Sequence, residues 1–162
     1  MTGIHDTWDD GSVYERYMGR WSRPIAREFI DWLAPRGRER WLDVGCGTGA
    51  LAAAIAADAD PMELHAVDLS EEFVLTARRR LPVYSVTSVA DGERLSYPDA
   101  RFDRAVSGLA LNFYPNPPTG MSELTRVVRP GGRVGVFVWD YAEGMEMIRI
   151  FWDVAASLDP VS

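Results

Sequence analysis

The chain has 162 residues, of which 47% are hydrophobic and 25% charged, a length and composition typical of one globular domain. Its formal net charge is −7, and all 17 basic residues are arginine. The lack of lysine excludes Schiff-base and P-loop chemistry, and the negative charge disfavours nucleic acids and anionic membranes as partners. One cysteine and two histidines predict neither a disulfide nor a zinc site, so no metal is expected. The sequence contains no candidate membrane span and no signal peptide, so we expect an unprocessed cytoplasmic protein.

The sequence pattern alternates between helices and strands. A first helix is predicted to begin at the cap residue Ser22 and to end before Pro35. Strands are then predicted over 40–44, 64–68, 82–87, 102–107 and 133–139, and helices over 50–57, 71–80, 119–129 and 143–158. This alternation predicts an α/β fold with a doubly wound, mainly parallel sheet of five strands. Ligands of such sheets bind at the carboxyl ends of the strands, where the strand order reverses.

A glycine-rich loop joins the first strand to the next helix and contains Gly45, Gly47 and Gly49. Glycine permits positive φ and lets a ligand approach the backbone, which indicates a nucleotide-like ligand. The spacing to Ala50 and Asp68 also fits a dinucleotide site. Asp43, two positions before the loop, would repel a pyrophosphate, whereas it suits the sulfonium and ammonium groups of S-adenosylmethionine. A structural role, in which Asp43 accepts hydrogen bonds from loop amides, stays open.

The segment Leu42–Gly49 resembles the first motif of the class I S-adenosylmethionine-dependent methyltransferases. Three further stretches resemble later motifs of this family in the same order: Ala66–Ser70, Ala90–Asp99 with Phe102–Asp103, and Leu124–Gly135. The branch with the greatest similarity acts on small molecules and includes quinone-biosynthesis methyltransferases. The resemblance implies a Rossmann-like fold and S-adenosylmethionine as the cofactor, with S-adenosylhomocysteine as its product.

The resemblance also implies roles for individual residues. The three loop glycines would lie along the methionine part of the cofactor, and Asp43 would orient the loop or the ammonium group. Asp68 would accept hydrogen bonds from both ribose hydroxyls, and Leu69 would cover one face of the adenine. A helix-capping role for Asp68 stays open, since an aspartate just before a helix is a common cap.

Two further positions complete the cofactor residues that the resemblance implies. Asp91 would accept a hydrogen bond from the adenine amino group, with the Gly92 amide beside it, and Ser107 would border the sulfonium. For Asp91, a simple turn aspartate is the open alternative. Cys46 has no histidine nearby in sequence, so we expect it to pack rather than to act as a nucleophile.

Residues 1–40 are interpreted as an amino-terminal lid and helix, and residues 41–162 as the cofactor-binding core of a single domain. Tyr14, Arg20 and Trp21 are the lid residues expected at the cofactor, with Arg20 pairing its carboxylate. A plain packing role for this segment is an equal alternative.

The family normally continues into an antiparallel strand pair that this sequence lacks. We therefore expect a truncated fold whose open sheet edge beside the fifth strand favours a homodimer.

The function that these patterns predict is in-line methyl transfer to a small-molecule acceptor. No catalytic residue is assigned, because such a transfer needs no dedicated base; Tyr114, Asp140 and Tyr141 are the candidates nearest to the strand ends. A cofactor-binding module without catalysis is one alternative. An NAD-dependent oxidoreductase is another, although its usual Tyr-x-x-x-Lys pair is impossible without lysine.

Overall fold

The computed structural model describes residues 19–140, 144–146, 149, 150, 153, 154 and 157, and of residues 19–21 only the backbone. The described elements are α1 (Gly19–Leu33), β1 (Arg40–Val44), α2 (Ala50–Asp58), β2 (Glu63–Asp68), α3 (Glu71–Arg80), β3 (Val86–Val89), β4 (Phe102–Gly108), a 3-10 turn (Leu111–Phe113), α4 (Pro117–Val127) and β5 (Val128–Phe137). This order of elements confirms the predicted α/β fold.

The five strands form one sheet in the order β3-β2-β1-β4-β5, and every neighbouring pair is parallel. From β1 the chain winds outward through β2 to β3 and then returns to place β4 on the other side of β1. The strand order therefore reverses between β1 and β4, which is where ligands of such sheets bind.

Helices cover both faces of the sheet and bury two apolar clusters. One cluster joins α1 and α2 to the central strand, with Ile30, Trp41 and Ile55 fully buried. The other lies under α4, where Phe102 and Leu124 are fully buried. Because α1 contributes to the first cluster, it is part of the same core as the sheet.

Several predicted boundaries differ from the structure. The fifth strand, predicted over 133–139, spans Val128–Phe137 and so includes the Pro130–Gly132 segment that was expected to end the preceding helix. Ser22 is not a cap but lies inside α1, which begins at Gly19. The third strand spans Val86–Val89 instead of 82–87. Helix α4 begins at Pro117, where the Asn116 side chain accepts a hydrogen bond from Thr119 N, and it ends at Val127 because β5 starts at Val128. Most of the helix predicted over 143–158 lies outside the described residues.

A buried guanidinium fixes the end of α1 against the sheet. Arg104 on β4 is 2% exposed and donates to the carbonyl oxygens of Leu33 (2.8 Å) and Ala34 (3.1 Å). It also pairs with the Glu39 carboxylate at 2.8 Å and lies over the Trp41 ring. These bonds satisfy carbonyl groups that the helix end leaves without intrahelical partners.

Asp103 joins the start of β1 to β4 and β5. Its carboxylate accepts from the backbone N–H (2.7 Å) and Nε (3.0 Å) of Arg40 and from Nε of Arg129. Burial alone would raise the pKa of Asp103, but the hydrogen bonds from the two arginines outweigh it and hold the pKa well below its ordinary value. The ionised carboxylate is therefore the form that stabilises the fold.

We expect Asp103→Asn to lower the free energy of unfolding at pH 7 by about 1.5–3 kcal/mol, the range for hydrogen bonds to a charged group. Because the folded pKa is depressed, this contribution is complete above the unfolded pKa of about 3.9 and is lost as the pH falls below it. Urea unfolding of both proteins at pH 7 and at about pH 3 measures the difference. If the two proteins differed equally in free energy of unfolding at both pH values, the ionised Asp103 carboxylate would not be the stabilising form.

Candidate cofactor site

The loop after β1 turns in the left-handed region at each of its three glycines. The φ angles are +72° at Gly45, +53° at Gly47 and +88° at Gly49. The Gly45 and Cys46 amides both donate to the carbonyl oxygen of Val67 on β2. A Cβ placed on Gly47 would meet no atom within 4 Å. The loop is therefore anchored to β2 and has open space beside its central glycine.

A cleft lies beside this loop, between the ends of β1 and β4. The residues that line it are Ser22, Ala26, Asp43, Gly45, Cys46, Gly47, Thr48, Ala50, Leu51, Gly108, Leu109 and Phe137. The cleft thus combines loop backbone and one carboxylate with an apolar wall. It also lies against the first turns of α1, through Ser22 and Ala26.

Asp43 is the buried charged group of this cleft. The residue is fully buried, and neither carboxylate oxygen has a hydrogen-bond partner among the described residues. Burial raises its pKa to about 7, and the Asp68 carboxylate raises it as well. The Ala52 backbone N–H, which acts on the carboxylate without forming a hydrogen bond of normal geometry, lowers the pKa in part. Since the oxygens accept no bond from the loop amides, the purely structural role left open for Asp43 is not supported.

Asp68 ends β2 and connects two loops. Its Oδ2 accepts from the Gly47 amide at 2.8 Å, and its Oδ1 accepts from the Ser70 amide at 2.9 Å. Burial raises the pKa of Asp68, while the Ser70 and Gly47 amides oppose that rise. The helix cap of α3 is Ser70, which accepts from Phe73 N, so Asp68 is not the cap. Each carboxylate oxygen can accept a further bond, which leaves capacity for a ligand hydroxyl.

The residues predicted at the adenine lie on the loops that follow β2 and β3. Leu69 is 72% exposed at the end of β2. Asp91 is exposed, and its Oδ1 accepts from the Glu93 amide at 2.8 Å, which is the turn role left open above. Its other oxygen has no such contact among the described residues. Gly92 is buried beside the Tyr114 ring.

The loop that carries Asp91 is held by α4 and its cap. Glu93 accepts from the Asn116 amide at 2.5 Å, and Glu123 accepts from the Leu95 amide at 2.7 Å. Arg126 donates to the carbonyl oxygens of Leu95 (3.0 Å) and Tyr97 (2.7 Å). These groups are not predicted from the sequence, because no local pattern links a helix residue to a loop about thirty positions earlier.

Opposite the glycine loop, β4 and β5 end in an exposed aromatic region. The Asn112 carboxamide donates to the Trp139 carbonyl (3.1 Å) and accepts from the Trp139 amide (2.9 Å), which joins the two strand ends. Phe113 beside it is 64% exposed. Ser107 is fully buried near the end of β4, and its hydroxyl has no hydrogen-bond partner in the described part of the chain.

The candidate bases and the cysteine have distinct environments. Burial raises the pKa of Tyr114 far above its ordinary value, with Asp68 and Asp43 adding to the rise, so its phenol stays protonated and is a poor base. Asp140 is exposed, and Tyr141 lies outside the described residues. Burial likewise raises the pKa of the Cys46 thiol, which agrees with a packing role.

The predicted lid residues fall outside what the structure describes. Tyr14 lies before the first described residue, and of Arg20 and Trp21 only the backbone is described. The neighbouring Ser22 is described and lines the cleft.

The described residues fit a ligand with positive charge. An unpartnered buried carboxylate faces a loop whose central glycine borders open space. Burial of such a carboxylate without a partner is unfavourable, and a bound cation would offset it. The fit extends to S-adenosylmethionine, which carries two cationic groups and a vicinal diol.

We expect Asp43→Asn to remove a pH dependence of stability. The folded pKa of about 7 lies above the unfolded value, so the folded state binds the extra proton. The free energy of unfolding of the parent should therefore fall as pH rises from about 4 to 7, relative to the variant, by up to about 1.4 kcal/mol per pH unit. Urea unfolding across this range tests it, with the exposed Asp31→Asn as the matched control. If the free energies of unfolding of the parent and of Asp43→Asn ran parallel over this pH range, the raised pKa of the buried Asp43 carboxyl would be refuted.

A family described as a methyltransferase domain matches residues 42–136. The chain is 30% identical over 139 residues to the ubiquinone/menaquinone biosynthesis C-methyltransferase of Dinoroseobacter shibae, covering 83% of this chain and 49% of that protein. It is 30% identical over 130 residues to the nocamycin O-methyltransferase of Saccharothrix syringae, covering 76% and 46%. The structure of an S-adenosylmethionine dependent methyltransferase from Mesorhizobium loti superposes with a TM-score of 0.59 at 28% identity, over 68% of this chain and 50% of that one.

The chain thus spans about half the length of the curated relatives it matches. Within the described ranges, no helix has the length and apolar character of a membrane span, and no group of three His, Cys, Asp or Glu side chains could hold a metal ion. The family match covers more than half of the sequence, including the glycine loop, Asp43 and Asp68. By sequence and fold, the chain belongs to the class I S-adenosylmethionine-dependent methyltransferases.

Proposed function

We propose that this chain binds S-adenosylmethionine at the carboxyl ends of its central strands and transfers the methyl group to a small-molecule acceptor. The observation that carries the proposal is Asp43, a buried carboxylate that has no partner among the described residues and lies in a cleft beside a left-handed glycine loop. A cationic ligand group would pair with this carboxylate and favour its ionised form. The family match and the relatives named above support the same reaction class.

The residues that we propose to hold the cofactor follow the strand ends in order. The glycines of the loop and Asp43 are assigned to the methionine part, Asp68 to the ribose hydroxyls, Leu69, Asp91 and Gly92 to the adenine, and Ser107 to the side of the sulfonium. For Asp68, the support is the capacity of its two oxygens to accept from a diol after binding the Gly47 and Ser70 amides. For Leu69, the support is an apolar side chain that is 72% exposed beside Asp68.

The charge of the site disfavours a dinucleotide. Asp43, Asp68, Asp91 and Glu93 all act on the pKa of Tyr114, so these four carboxylates surround one small region. Two phosphates in this region would be repelled at short range, whereas a sulfonium and an ammonium would be attracted. An NAD-dependent reaction is therefore the weaker candidate.

When bound, the cofactor supplies an electrophilic methyl group on sulfur, which an acceptor attacks in line. Leu109 and Phe137 give the cleft an apolar wall, which excludes water from the reacting atoms. Gly108 lies against the Phe137 ring, where a side chain would collide with it, so the backbone of β4 borders the cleft directly. The contribution of the protein is mainly alignment and desolvation, and Tyr114 supplies no base because its phenol stays protonated.

We place the acceptor at the exposed ends of β4 and β5. Phe113 offers an open apolar ring, and the paired hydrogen bonds of Asn112 with Trp139 fix the distance between the two strand ends. The relatives named above include a carbon and an oxygen methyltransferase, so they support a small-molecule acceptor without selecting the methylated atom.

Three broader expectations are proposals as well. The segment with Tyr14, Arg20 and Trp21 would cover the cleft as a lid, which is supported by Ser22 at the cleft wall. Strand β5 is an edge of the described sheet and would pair two copies as a homodimer. A reducing cytoplasm is favoured by the single cysteine.

Calorimetric titration tests the cofactor site. We expect micromolar binding of S-adenosylhomocysteine and no comparable binding of NAD. Asp68→Ala should weaken the binding of S-adenosylhomocysteine by about 10- to 150-fold, because a hydrogen bond between a charged carboxylate and a ligand hydroxyl is lost. Asp58→Ala, on the opposite end of α2, is the control and should bind like the parent. Tight binding of NAD would refute the proposal. A protein that binds neither ligand would refute it as well.

Asn112→Ala tests the acceptor region. We expect S-adenosylhomocysteine affinity within about twofold of the parent, since the side-chain hydrogen bonds of Asn112 among the described residues go only to Trp139 after β5. Transfer of labelled methyl to a panel of small phenols, quinols and carboxylic acids should fall by about tenfold in kcat/KM. No transfer to any acceptor by the parent, despite cofactor binding, would favour the non-catalytic module. Equal transfer by parent and variant would place the acceptor elsewhere.

A further inference from the structure

Tyr114 lies between three glycines that come from three separate elements. A Cβ on Gly92, in the loop after β3, would lie 2.1 Å from the Tyr114 hydroxyl oxygen. A Cβ on Gly45, in the loop after β1, would lie 3.7 Å from the same oxygen, and one on Gly120 of α4 would lie 2.5 Å from the ring. The hydroxyl therefore reaches the two loops to which the two halves of the cofactor are assigned.

The hydroxyl has no protein partner in the described structure. It lies beside the backbone of Gly92 and near that of Gly45, and none of the hydrogen bonds among the described residues involves it. Tyr114 is half-buried, and burial together with Asp68 and Asp43 raises its pKa, so it remains a hydrogen-bond donor at neutral pH. The hydroxyl oxygen is not among the fully buried polar atoms, so a ligand that lies along the two loops can reach it and accept its hydrogen bond.

The donor complements the acidic residues around it. Asp68 and Asp91 accept hydrogen bonds when ionised, so they suit the hydroxyl and amino groups of a nucleoside. A nucleoside also has acceptors, namely the ribose ring oxygen and the adenine ring nitrogens, and these require a donor. Tyr114 places a neutral donor beside Gly92 without adding charge to the site.

We propose that the Tyr114 hydroxyl donates a hydrogen bond to an acceptor atom of the nucleoside half of the cofactor, and so adds a selectivity contact to those of the strand-end carboxylates. This inference rests on the proposed function, because it requires the cofactor to lie along these loops. It assigns Tyr114 to binding, whereas the sequence placed it only among candidate bases.

The test compares Tyr114→Phe with the parent, using two ligands that share the nucleoside half. S-adenosylhomocysteine carries the amino-acid tail, and 5′-methylthioadenosine lacks it. We expect Tyr114→Phe to weaken both by the same factor of about 5- to 10-fold, the value of a neutral hydrogen bond. The variant keeps the ring, and no partner among the described residues loses a bond, so its urea midpoint should equal that of the parent. Tyr84→Phe, with a side chain that is 52% exposed, is the matched control and should leave both affinities unchanged.

The outcomes separate the two proposals. Unchanged affinity for both ligands in Tyr114→Phe would overturn the hydrogen bond while the proposed function stands. Weaker binding of S-adenosylhomocysteine alone would overturn the assignment to the nucleoside half. A parent that binds neither ligand would overturn the proposed function and this inference with it.

Discussion

Asp43 is held in the middle of the sheet because β1 pairs with β2 on one side and with β4 on the other, which buries every residue of this strand after Arg40. The carboxylate cannot turn to water, and no described group donates a hydrogen bond of normal geometry to it. The pKa of about 7 is the consequence. A fold that keeps such a group loses stability in the free protein, and a cation in the cleft removes that loss.

The remaining parts of the site depend on bonds between loops. The Asp68 carboxylate accepts from the Gly47 amide, so the loops that follow β1 and β2 are bonded to each other. On the other side, Arg126 and Glu123 of α4 bind the backbone of the loop that carries Asp91. The loops after β1, β2 and β3 are therefore fixed by charged groups on neighbouring elements, and a ligand meets a surface that is already arranged.

The sequence predicts the elements best where the signals are local. The bounds of β1 and α3 agree with the structure, because a buried apolar strand and the cap residue Ser70 are visible in a short window. The edge strand β3 begins four residues and ends two residues later than the sequence predicts, since Val83 and Tyr84 resemble strand residues but are exposed. The motif glycines all adopt positive φ, as such a turn requires.

What the sequence could not supply is the set of contacts made across long separations. The contacts of Tyr114 with Gly45 and Gly92 come from elements that the sheet order, rather than the sequence, brings together. The same topology explains the chemistry of the site: three strand ends contribute carboxylates, which accept, and the return of the chain through β4 contributes a phenol, which donates. A ligand with only donors or only cationic groups would leave the phenol unpaired, and a phosphate-rich ligand would be repelled by the carboxylates. A nucleoside joined to a cationic tail satisfies both, which ties the selectivity of the site to the reversal of strand order between β1 and β4.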